Sequence, residues 1–443
     1  MSSGALPGFR DFYPADLAER AHIMRAWRRV AARYAFQEYD GPPLEPLDLY
    51  TKKSGDEIVG QLYAFTDKGG REVALRPEMT PTFARMVAAQ ANALRKPVRW
   101  FSMPQLFRYE RAQRGRLREH YQLNVDLVGE ADVTADAELL AVAVDIMREL
   151  KLTKDDVVAR VSDRRLLSAL FASYGVGEGQ LYAVYQAVDK VEREPREKFT
   201  ARFAAAGLDD AVADQVWRIV REQSFEELRE EHENSTDPAI VAAFARLDKY
   251  RECLKALNIA DWVRFDLTIV RGLAYYTGIV FELFDTKGDE RAICGGGRYD
   301  TLLQSLGGVD LPALGFGMGD VVLRLMLQDR GLLPDTKPSL DFWVAGDEEE
   351  LLPMVIGIST LLRRLDYRVE YALRPQQLGK QLKAASAAGA ERVVILRKAQ
   401  LATEETLTVK RLSDGAEERA PIKDWIDRLI ELASAPPATE PTA

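Results

Sequence analysis

The chain begins with a helical pattern that gives way to a short extended segment. In residues 15–34 apolar side chains, Ile23 and Trp27 among them, recur every three or four positions, which predicts an amphipathic helix packed on the core. Residues 36–45 are extended in character and are interrupted at Pro42. Because proline cannot donate a hydrogen bond to a neighbouring strand, we expect this strand at a sheet edge or an interface.

A strict alternation of apolar and polar residues marks the end of the segment 98–128, after an arginine-rich loop. Such alternation is typical of a strand with one buried face. It predicts either a polar site floored by a sheet or a sheet surface that simply faces solvent. The apolar side carries Tyr121, Leu123, Val125 and Leu127, and the polar side carries His120, Gln122, Asn124 and Asp126.

The rest of the chain separates into regions of different pattern. A highly charged helical pattern precedes extended, glycine-rich segments at 263–284, 293–300 and 313–320, and a helix is expected at 321–329. After a linker the pattern becomes an alternation of strands and helices, which predicts a small α/β domain. The expected domains are residues 1–333 with a helical insertion at about 165–245, residues 338–432, and a disordered tail at 433–443.

Composition narrows the class of protein. At 443 residues the chain exceeds one ordinary core, and its 47% hydrophobic and 29% charged residues are those of a globular protein. No apolar run is long enough to span a bilayer, and the N-terminus lacks a secretory pattern, so we expect a cytoplasmic protein without a membrane segment. A net charge of −9 disfavours a protein that coats nucleic acid through bulk positive charge.

The chemistry-bearing residues are arginines and carboxylates more than histidines and cysteines. Three histidines occur without a metalloprotease or hydrolase signature, and two cysteines without zinc spacing, so no metal site can be assigned to protein side chains. Arginines beside a glycine-lined sheet favour phosphate handling, since guanidinium groups bind phosphate oxygens and Mg²⁺ could assist. The usual phosphate loop and dinucleotide motif are absent. The candidate residues are Arg108, Glu110, Gln122, Asp126 and Arg271, with glycines at 295–297.

Several of these residues carry a family resemblance. The run from Phe107 to Glu110, with its arginine-rich loop and returning strand, resembles the second signature of class II aminoacyl-tRNA synthetases, and residues 313–323 resemble the third. Val270–Thr277 and Gly296–Asp300 resemble the two histidine motifs peculiar to the histidyl-tRNA synthetases. Their order along the chain makes the resemblance specific.

The resemblance implies a fold and a reaction. The expected fold class is α+β: an antiparallel sheet flanked by helices, a helical insertion and a C-terminal α/β anticodon-binding domain. The expected reaction joins L-histidine to ATP as histidyl-adenylate with release of pyrophosphate, and then transfers histidine to the 3′ end of tRNA(His). ATP and Mg²⁺ are the expected cofactors. A homodimer is also implied, with the strand that ends at Pro42 near the interface.

The resemblance also assigns roles to individual residues. It implies that Arg108, Arg271 and Gln122 act in catalysis, and that Arg108, Glu110, Arg116 and Arg271 bind ATP. Gln113, Arg114 and Arg116 would contact tRNA. The histidine-binding set would be Glu78, Thr80, Arg108, Gln122, Asp126, Arg271, Tyr275, Tyr276 and Tyr299. Taken singly, the tyrosines would more often be sheet core, and Glu78 a surface charge and Arg271 a salt-bridge partner; only the ordered set of motifs favours the functional roles.

Departures from the family pattern keep a second function open. The third signature normally ends in an arginine that binds the γ-phosphate of ATP, and Val322 stands there. Ala274 replaces an aspartate, Asp126 a glutamate and Tyr109 a histidine; a divergent branch of the family shares the variant motifs. The alternative is a catalytically inactive paralogue that serves as regulatory subunit of ATP phosphoribosyltransferase, and a synthetase-like protein that binds another RNA or a kinase is a further possibility.

Overall fold

A computed structural model describes residues 4–51, 59–271, 275–287, 292–335 and 340–434. The chain divides into two compact units, residues 1–334 and residues 335–443. No described helix is long and apolar enough to cross a membrane.

The first unit is built on a nine-stranded sheet in the order β1-β5-β7-β12-β11-β10-β8-β9, with β6 also paired to β7, and a small β2-β4-β3 sheet. In the large sheet the described neighbours are antiparallel except for the edge pairs β1–β5 and β8–β9. The strands are β1 Gln37–Glu38, β2 Leu44–Pro46, β3 Tyr63–Thr66, β4 Glu72–Leu75, β5 Val98–Ser102, β6 Gln105–Phe107, β7 Glu119–Val128, β8 Val157–Asp163, β9 Val263–Phe265, β10 Ile279–Asp285, β11 Cys294–Arg298 and β12 Ala313–Gly319.

Most helices pack on one face of this sheet or form a run after β8, whereas Thr80–Gln90 and Leu302–Gly307 pack in a second apolar cluster on the opposite face. Arg218–Glu222 is a π-helical turn, and short 3₁₀ turns lie at Glu178–Gln180 and Ala260–Trp262. The α-helices are α1 Pro14–Arg33, α2 Asp48–Thr51, α3 Thr80–Gln90, α4 Thr134–Glu149, α5 Arg164–Ser173, α6 Leu181–Asp189, α7 Arg196–Ala205, α8 Asp210–Trp217, α9 Phe225–Glu231, α10 Pro238–Ala256, α11 Leu302–Gly307 and α12 Asp320–Asp329.

The two faces of β7 have different surroundings. Leu123, Val125 and Leu127 are buried in one apolar cluster together with the inward sides of α1 and α4, and burial of each such side chain contributes about 1.5–3 kcal/mol. The predicted helix at residues 15–34 is observed as α1. The predicted strand that is stopped by proline is observed as β1, at the edge of the sheet. The helix-covered face is therefore the core, and the polar face of β7 is left for a site.

The extended segment expected at 263–284 is interrupted in the structure. β9 and β10 pair with opposite edges of β8, so the chain between them must cross the sheet. Residues 266–271 and 275–278, which we call the crossover segment, lie outside both strands. The alternation of apolar residues could not reveal this break, because strand pairing is a property of distant residues. The crossover brings Arg271, Tyr275 and Tyr276 to the polar face of the sheet.

The second unit is an α/β domain with a five-stranded sheet in the order β14-β13-β15-β16-β17. β13 is parallel to β14 and β15, and β16 and β17 are antiparallel. Helix α15 and strand β17 were not predicted from the sequence, because α15 buries no residue and β17 is mostly exposed. The elements are β13 Leu340–Gly346, α13 Leu352–Arg364, β14 Val369–Tyr371, α14 Leu378–Ala387, β15 Ala390–Leu396, α15 Lys398–Glu404, β16 Thr406–Arg411, β17 Glu417–Pro421 and α16 Ile422–Ser434. The expected tail beyond Ser434 lies outside the described residues.

Candidate functional site

Two adjoining cavities lie on the polar face of the sheet in the first unit. The small cavity has a volume of about 80 Å³ and is lined by all nine predicted histidine-binding residues. The large cavity has a volume of about 220 Å³. Five residues line both cavities and so form the junction between them: Arg108, Gln122, Arg271, Gly295 and Gly317. A substrate in one cavity would therefore meet a substrate in the other beside two arginines.

Three glycines in the strands beneath the site, which we call the glycine floor, leave space for functional side chains to lie directly on the sheet. A Cβ placed on Gly295 would come within 2.5 Å of Cζ of Arg271, and one on Gly317 would come within 2.8 Å of Cδ of Gln122. A Cβ on Gly315 would lie 3.0 Å from Cγ of Asp126. All three distances are well inside an ordinary carbon–carbon contact of about 3.5 Å. The glycines thus allow these side chains to lie flat on the sheet.

The small cavity is lined by aromatic rings and a buried carboxyl group. The rings of Tyr275 and Tyr299 meet edge-to-face with centroids 5.8 Å apart, and Tyr275 also contacts Tyr276. The hydroxyl of Tyr299 donates a hydrogen bond to Asp126. Burial raises the pKa of Asp126 to about 7, although the Tyr299 hydrogen bond acts in the opposite direction. The cavity thus holds a carboxyl group that titrates near neutral pH.

Another part of the wall of the small cavity is formed by the start of α3 and the segment before it. Glu78 is buried, Thr80 is the first residue of α3, and both line the small cavity. The Nε of Arg108 donates to the carbonyl oxygen of Pro77 at 2.9 Å, which holds the guanidinium group beside Glu78. This wall combines a carboxylate with a hydroxyl, as a site for an ammonium group requires.

Arg271 lines both cavities, as Arg108 does. Its Nη1 forms an ion pair with Glu282 of β10, and its guanidinium group lies over the Tyr276 ring, 5.8 Å from the centroid. Burial alone would lower the pKa of Arg271, but Tyr276 and Glu282 raise it above the ordinary value. The group is therefore permanently cationic and pre-positioned.

The large cavity extends from the junction toward the arginine-rich loop. Nη2 of Arg116 donates to Glu110 at 2.8 Å, and both residues line the cavity. His120 lies beside them, and its pKa is lowered to about 3 by burial and by the neighbouring Arg108, Arg10 and Arg116. The imidazole is therefore neutral at physiological pH. Val322 lines the same cavity at the position where the family pattern has an arginine.

Two predicted tRNA-contact residues lie apart from the cavities. Gln113 pairs with Arg116 through backbone hydrogen bonds of 2.9 Å in both directions, which makes a narrow turn of the loop. Arg114 contacts Asp329 at 3.5 Å, and both side chains are exposed. Neither residue lines the small or the large cavity. The sequence pattern also predicts Arg108 and Glu110 on one side of a strand, but β6 ends at Phe107 and both residues lie beyond it.

His120, Asn124 and Cys294 are not among the predicted site residues, yet each lines one of the cavities. For His120 and Asn124 the signal was present, since both belong to the polar side of the β7 alternation. Cys294 gave no signal, because its place beside Arg271 depends on the crossover segment. Ala274, where the family has an aspartate, lies outside the described residues.

A separate cleft occurs in the second unit, at the carboxyl ends of the parallel strands β13 and β14. Arg374 and Gln377 line it, and so does Gln381, which is buried. The side-chain amide of Gln381 donates to the carbonyl oxygens of Gly346 at 2.8 Å and Gln376 at 2.7 Å. Ligands of α/β sheets commonly bind at such strand ends.

Comparison with protein-family models shows which family the chain belongs to. Residues 8–320 match the family model described as histidyl-tRNA synthetase. The chain belongs to the histidyl-tRNA synthetase family. Residues 341–432 match a second model, described as an anticodon binding domain. The family and the α+β fold class predicted from the sequence are both confirmed.

Individual histidyl-tRNA synthetase relatives extend over nearly the whole chain. The histidine–tRNA ligase of Opitutus terrae is 44% identical over 400 residues, which are 90% of this chain and 91% of that protein. The chloroplastic and mitochondrial histidine–tRNA ligase of Arabidopsis thaliana is 37% identical and covers 94% of this chain and 85% of its own. A crystal structure of histidyl-tRNA synthetase from a Nostoc species superposes with a TM-score of 0.78 at 23% identity, covering 98% of this chain and all of that one, which shows a shared fold.

Proposed function

We propose that this chain is a histidine–tRNA ligase that activates L-histidine with ATP and transfers it to the 3′ end of tRNA(His). The observation that carries the proposal is the shared junction of the two cavities, where Arg108, Gln122 and Arg271 line both. The small cavity has the polarity of an amino-acid site, and the large one reaches the arginine-rich loop. Family membership supports the same conclusion.

Activation would take place at the junction. The histidine carboxylate attacks the α-phosphorus of ATP in line, a P–O bond to the histidine forms, and the bond to pyrophosphate breaks. Arg108 and Arg271, which both line the junction, would balance the charge that develops on the phosphoryl oxygens. Gln122 of β7 also lines the junction and completes the set proposed for catalysis. No protein nucleophile is needed, because the positioned carboxylate is itself the attacking group.

Histidine would bind in the small cavity. Glu78 and Thr80 hold the amino group, and the imidazole lies among Tyr275, Tyr276 and Tyr299 with Asp126 as its polar partner. A carboxyl group with a pKa of about 7 is closely matched to an imidazole, whose ordinary pKa is about 6.5. The two groups can then share one proton, which distinguishes histidine from apolar amino acids of similar size.

ATP would occupy the large cavity, with Glu110 near the adenine and Arg116 on the phosphates. Arg116 is the candidate to hold the outer phosphates in place of the arginine missing at Val322, since it lines the same cavity. Among the described residues no cluster of three or more metal-binding side chains occurs, so the residues do not fit a metal held by the protein alone. Mg²⁺ would enter with the triphosphate, where it neutralises phosphate charge.

The tRNA would contact both units. Gln113, Arg114 and Arg116 belong to the arginine-rich loop beside the large cavity, where the acceptor end must arrive, and the second unit would bind the anticodon. We also propose that the protein is a cytoplasmic homodimer. Light scattering should give about twice the chain mass of 49.7 kDa; a monomer at that mass would contradict the dimer.

Histidine-dependent exchange of pyrophosphate into ATP tests the activation step, and charging of tRNA(His) tests the transfer. The expected result is exchange that requires histidine and that Arg271→Ala, with the fold intact, lowers to a measurable residual about 100- to 1,000-fold below the wild type. Absence of exchange at saturating histidine would refute the proposal. Absence of exchange together with stimulation of ATP phosphoribosyltransferase would favour the regulatory paralogue, which near-full-length resemblance to histidine–tRNA ligases does not support.

A further inference from the structure

Arg164, the first residue of α5, makes an unusual set of hydrogen bonds to the crossover segment. Its Nε donates to the carbonyl oxygen of Val270 at 2.9 Å, its Nη1 to that of Tyr276 at 3.0 Å and its Nη2 to that of Arg271 at 2.6 Å. Its backbone N–H also donates to Gly278 at 3.0 Å. One side chain thus joins the two described parts of the crossover segment.

The Arg164 side chain is buried, with 6% of its surface exposed. Among the described residues, its guanidinium group hydrogen-bonds to backbone carbonyls and forms no ion pair with a carboxylate. The group lies over the Tyr185 ring at 4.4 Å from the centroid, which supplies a weak additional attraction. Asp189 acts on the Arg164 guanidinium group electrostatically, but burying a charge that no carboxylate contacts directly is still costly. A buried arginine of this kind is expected where it holds the backbone in a conformation that the site requires.

The backbone that Arg164 holds is strained at Arg271, which is proposed to balance charge on the phosphate during activation. Arg271 has a positive φ of 59°, a conformation that costs a residue with a side chain about 1–2 kcal/mol. The guanidinium fork of Arg164 binds the carbonyl groups of Val270 and Arg271, on both sides of the strained φ. These bonds fix the direction in which the Arg271 side chain leaves the backbone, toward Glu282 and the floor glycine Gly295.

Tyr185 of α6 connects this arrangement to the helices that follow β8. Its hydroxyl donates to the carbonyl oxygen of Arg164 at 2.9 Å and lies 2.7 Å from the hydroxyl of Ser168. The ring is buried against Phe171, with centroids 5.7 Å apart. Helix α6 therefore supports Arg164 through Tyr185, and Arg164 in turn supports the crossover segment.

We propose that Arg164 is a positioning residue for the activation step: it clamps the crossover segment so that Arg271 and Tyr276 enter the junction and the small cavity in their working orientation. This inference rests on the proposed function and deepens it. Arg164 contacts no substrate and acts through Arg271. Lysine cannot replace it, because an ammonium group is a point donor and lacks the planar fork that reaches three separate carbonyls.

The test compares Arg164→Lys with a matched control, Arg330→Lys. Arg330 also donates to a backbone carbonyl and pairs with Asp156 and Asp285, away from the crossover segment. Arg164→Lys should lower the turnover of pyrophosphate exchange at saturating substrates by about 10- to 100-fold and raise the KM for histidine. Arg330→Lys should lower the melting temperature without changing either kinetic constant.

A double-mutant cycle separates positioning from general destabilisation. If Arg164 acts through Arg271, Arg164→Lys should cause no further loss of residual exchange in the Arg271→Ala background. Independent, multiplying losses would overturn the proposal, and so would wild-type turnover in the single Arg164→Lys variant. If the wild-type protein shows no pyrophosphate exchange, the ligase function is refuted but the clamp is not. Amide hydrogen exchange tests the clamp independently of activity. Amide hydrogen exchange at residues 269–271 and 275–278 should quicken in Arg164→Lys but not in Arg330→Lys, and unchanged exchange would refute the clamp.

Discussion

Replacing Gly295 by alanine should lower the activity of this protein strongly while changing its unfolding free energy little. The added Cβ would lie 2.5 Å from Cζ of Arg271, about 1 Å closer than an ordinary carbon contact of about 3.5 Å. The Arg271 guanidinium group is the far end of a flexible side chain, so it can move aside by about 1 Å. The backbone and the core beneath Gly295 need not change.

The consequence for activity follows from that displacement. A shift of about 1 Å in a group that stabilises the transition state lowers the rate about 100-fold, or about 2.7 kcal/mol of barrier. The unfolding free energy should change by no more than about 1 kcal/mol, because alanine is tolerated in a strand better than glycine. Pyrophosphate exchange measures the first quantity, and urea unfolding measures the second.

Gly296→Ala is the matched control one residue along the same strand. Its Cβ would face the core, 2.5 Å from the carbonyl oxygen of Gly315 and 2.8 Å from Cα of Phe316. Backbone atoms cannot move aside, so this variant should lose about 1–3 kcal/mol of stability, and its folded fraction should retain more activity than Gly295→Ala. Wild-type exchange by Gly295→Ala, or a loss of stability as large as that of Gly296→Ala, would refute the role given to the glycine floor.

Three further predictions concern titration in the site. The raised pKa of Asp126, about 7, means that between about pH 4 and 7 the folded state holds a proton that the unfolded state has lost; unfolding free energy should therefore fall as pH rises through this window, by up to about 4 kcal/mol. Asp126→Asn should remove that part of the slope in urea unfolding at pH 5 and 8, and an unchanged slope would contradict the assignment. Tyr299→Phe removes the hydrogen bond that lowers the pKa of Asp126, so the pH profile of the KM for histidine should move to higher pH; a shift to lower pH would be inconsistent with this contact. His120 has a pKa of about 3, so His120→Phe should leave the pH dependence of ATP binding between pH 6 and 8 unchanged, as measured by the KM for ATP, whereas a new or lost inflection in that range would show that His120 titrates there.

Some of the site could be predicted because it depends on local periodicity. The alternation at the end of the segment 98–128 identified β7 and placed Gln122, Asn124 and Asp126 on one face. Strand geometry determines these positions without knowledge of the neighbours. The glycines at 295–297 likewise indicated close approach to a backbone, although the pattern did not reveal which side chain would approach.

The remaining features depend on contacts between distant parts of the chain. The hydrogen bond between Tyr299 and Asp126 joins residues 173 positions apart, and the bonds from Arg164 to the crossover segment span more than 100 positions. Neither set of hydrogen bonds produces a periodic pattern in the sequence. The position of Arg271 in the junction follows from the pairing of β9 and β10 on opposite edges of β8, which only the assembled sheet determines.

The glycine floor also bears on inhibitor design. A compound bound in the small cavity at Gly295, Gly315 and Gly317 would contact the side chains that lie across these glycines together with main-chain atoms, and no single substitution removes the main-chain atoms. Adding a side chain at any of the three would push against Arg271, Asp126 or Gln122, the same groups that the substrates need. Resistance by blocking the floor should therefore carry a loss of enzyme activity, and this part of the pocket is a durable surface for an inhibitor to exploit.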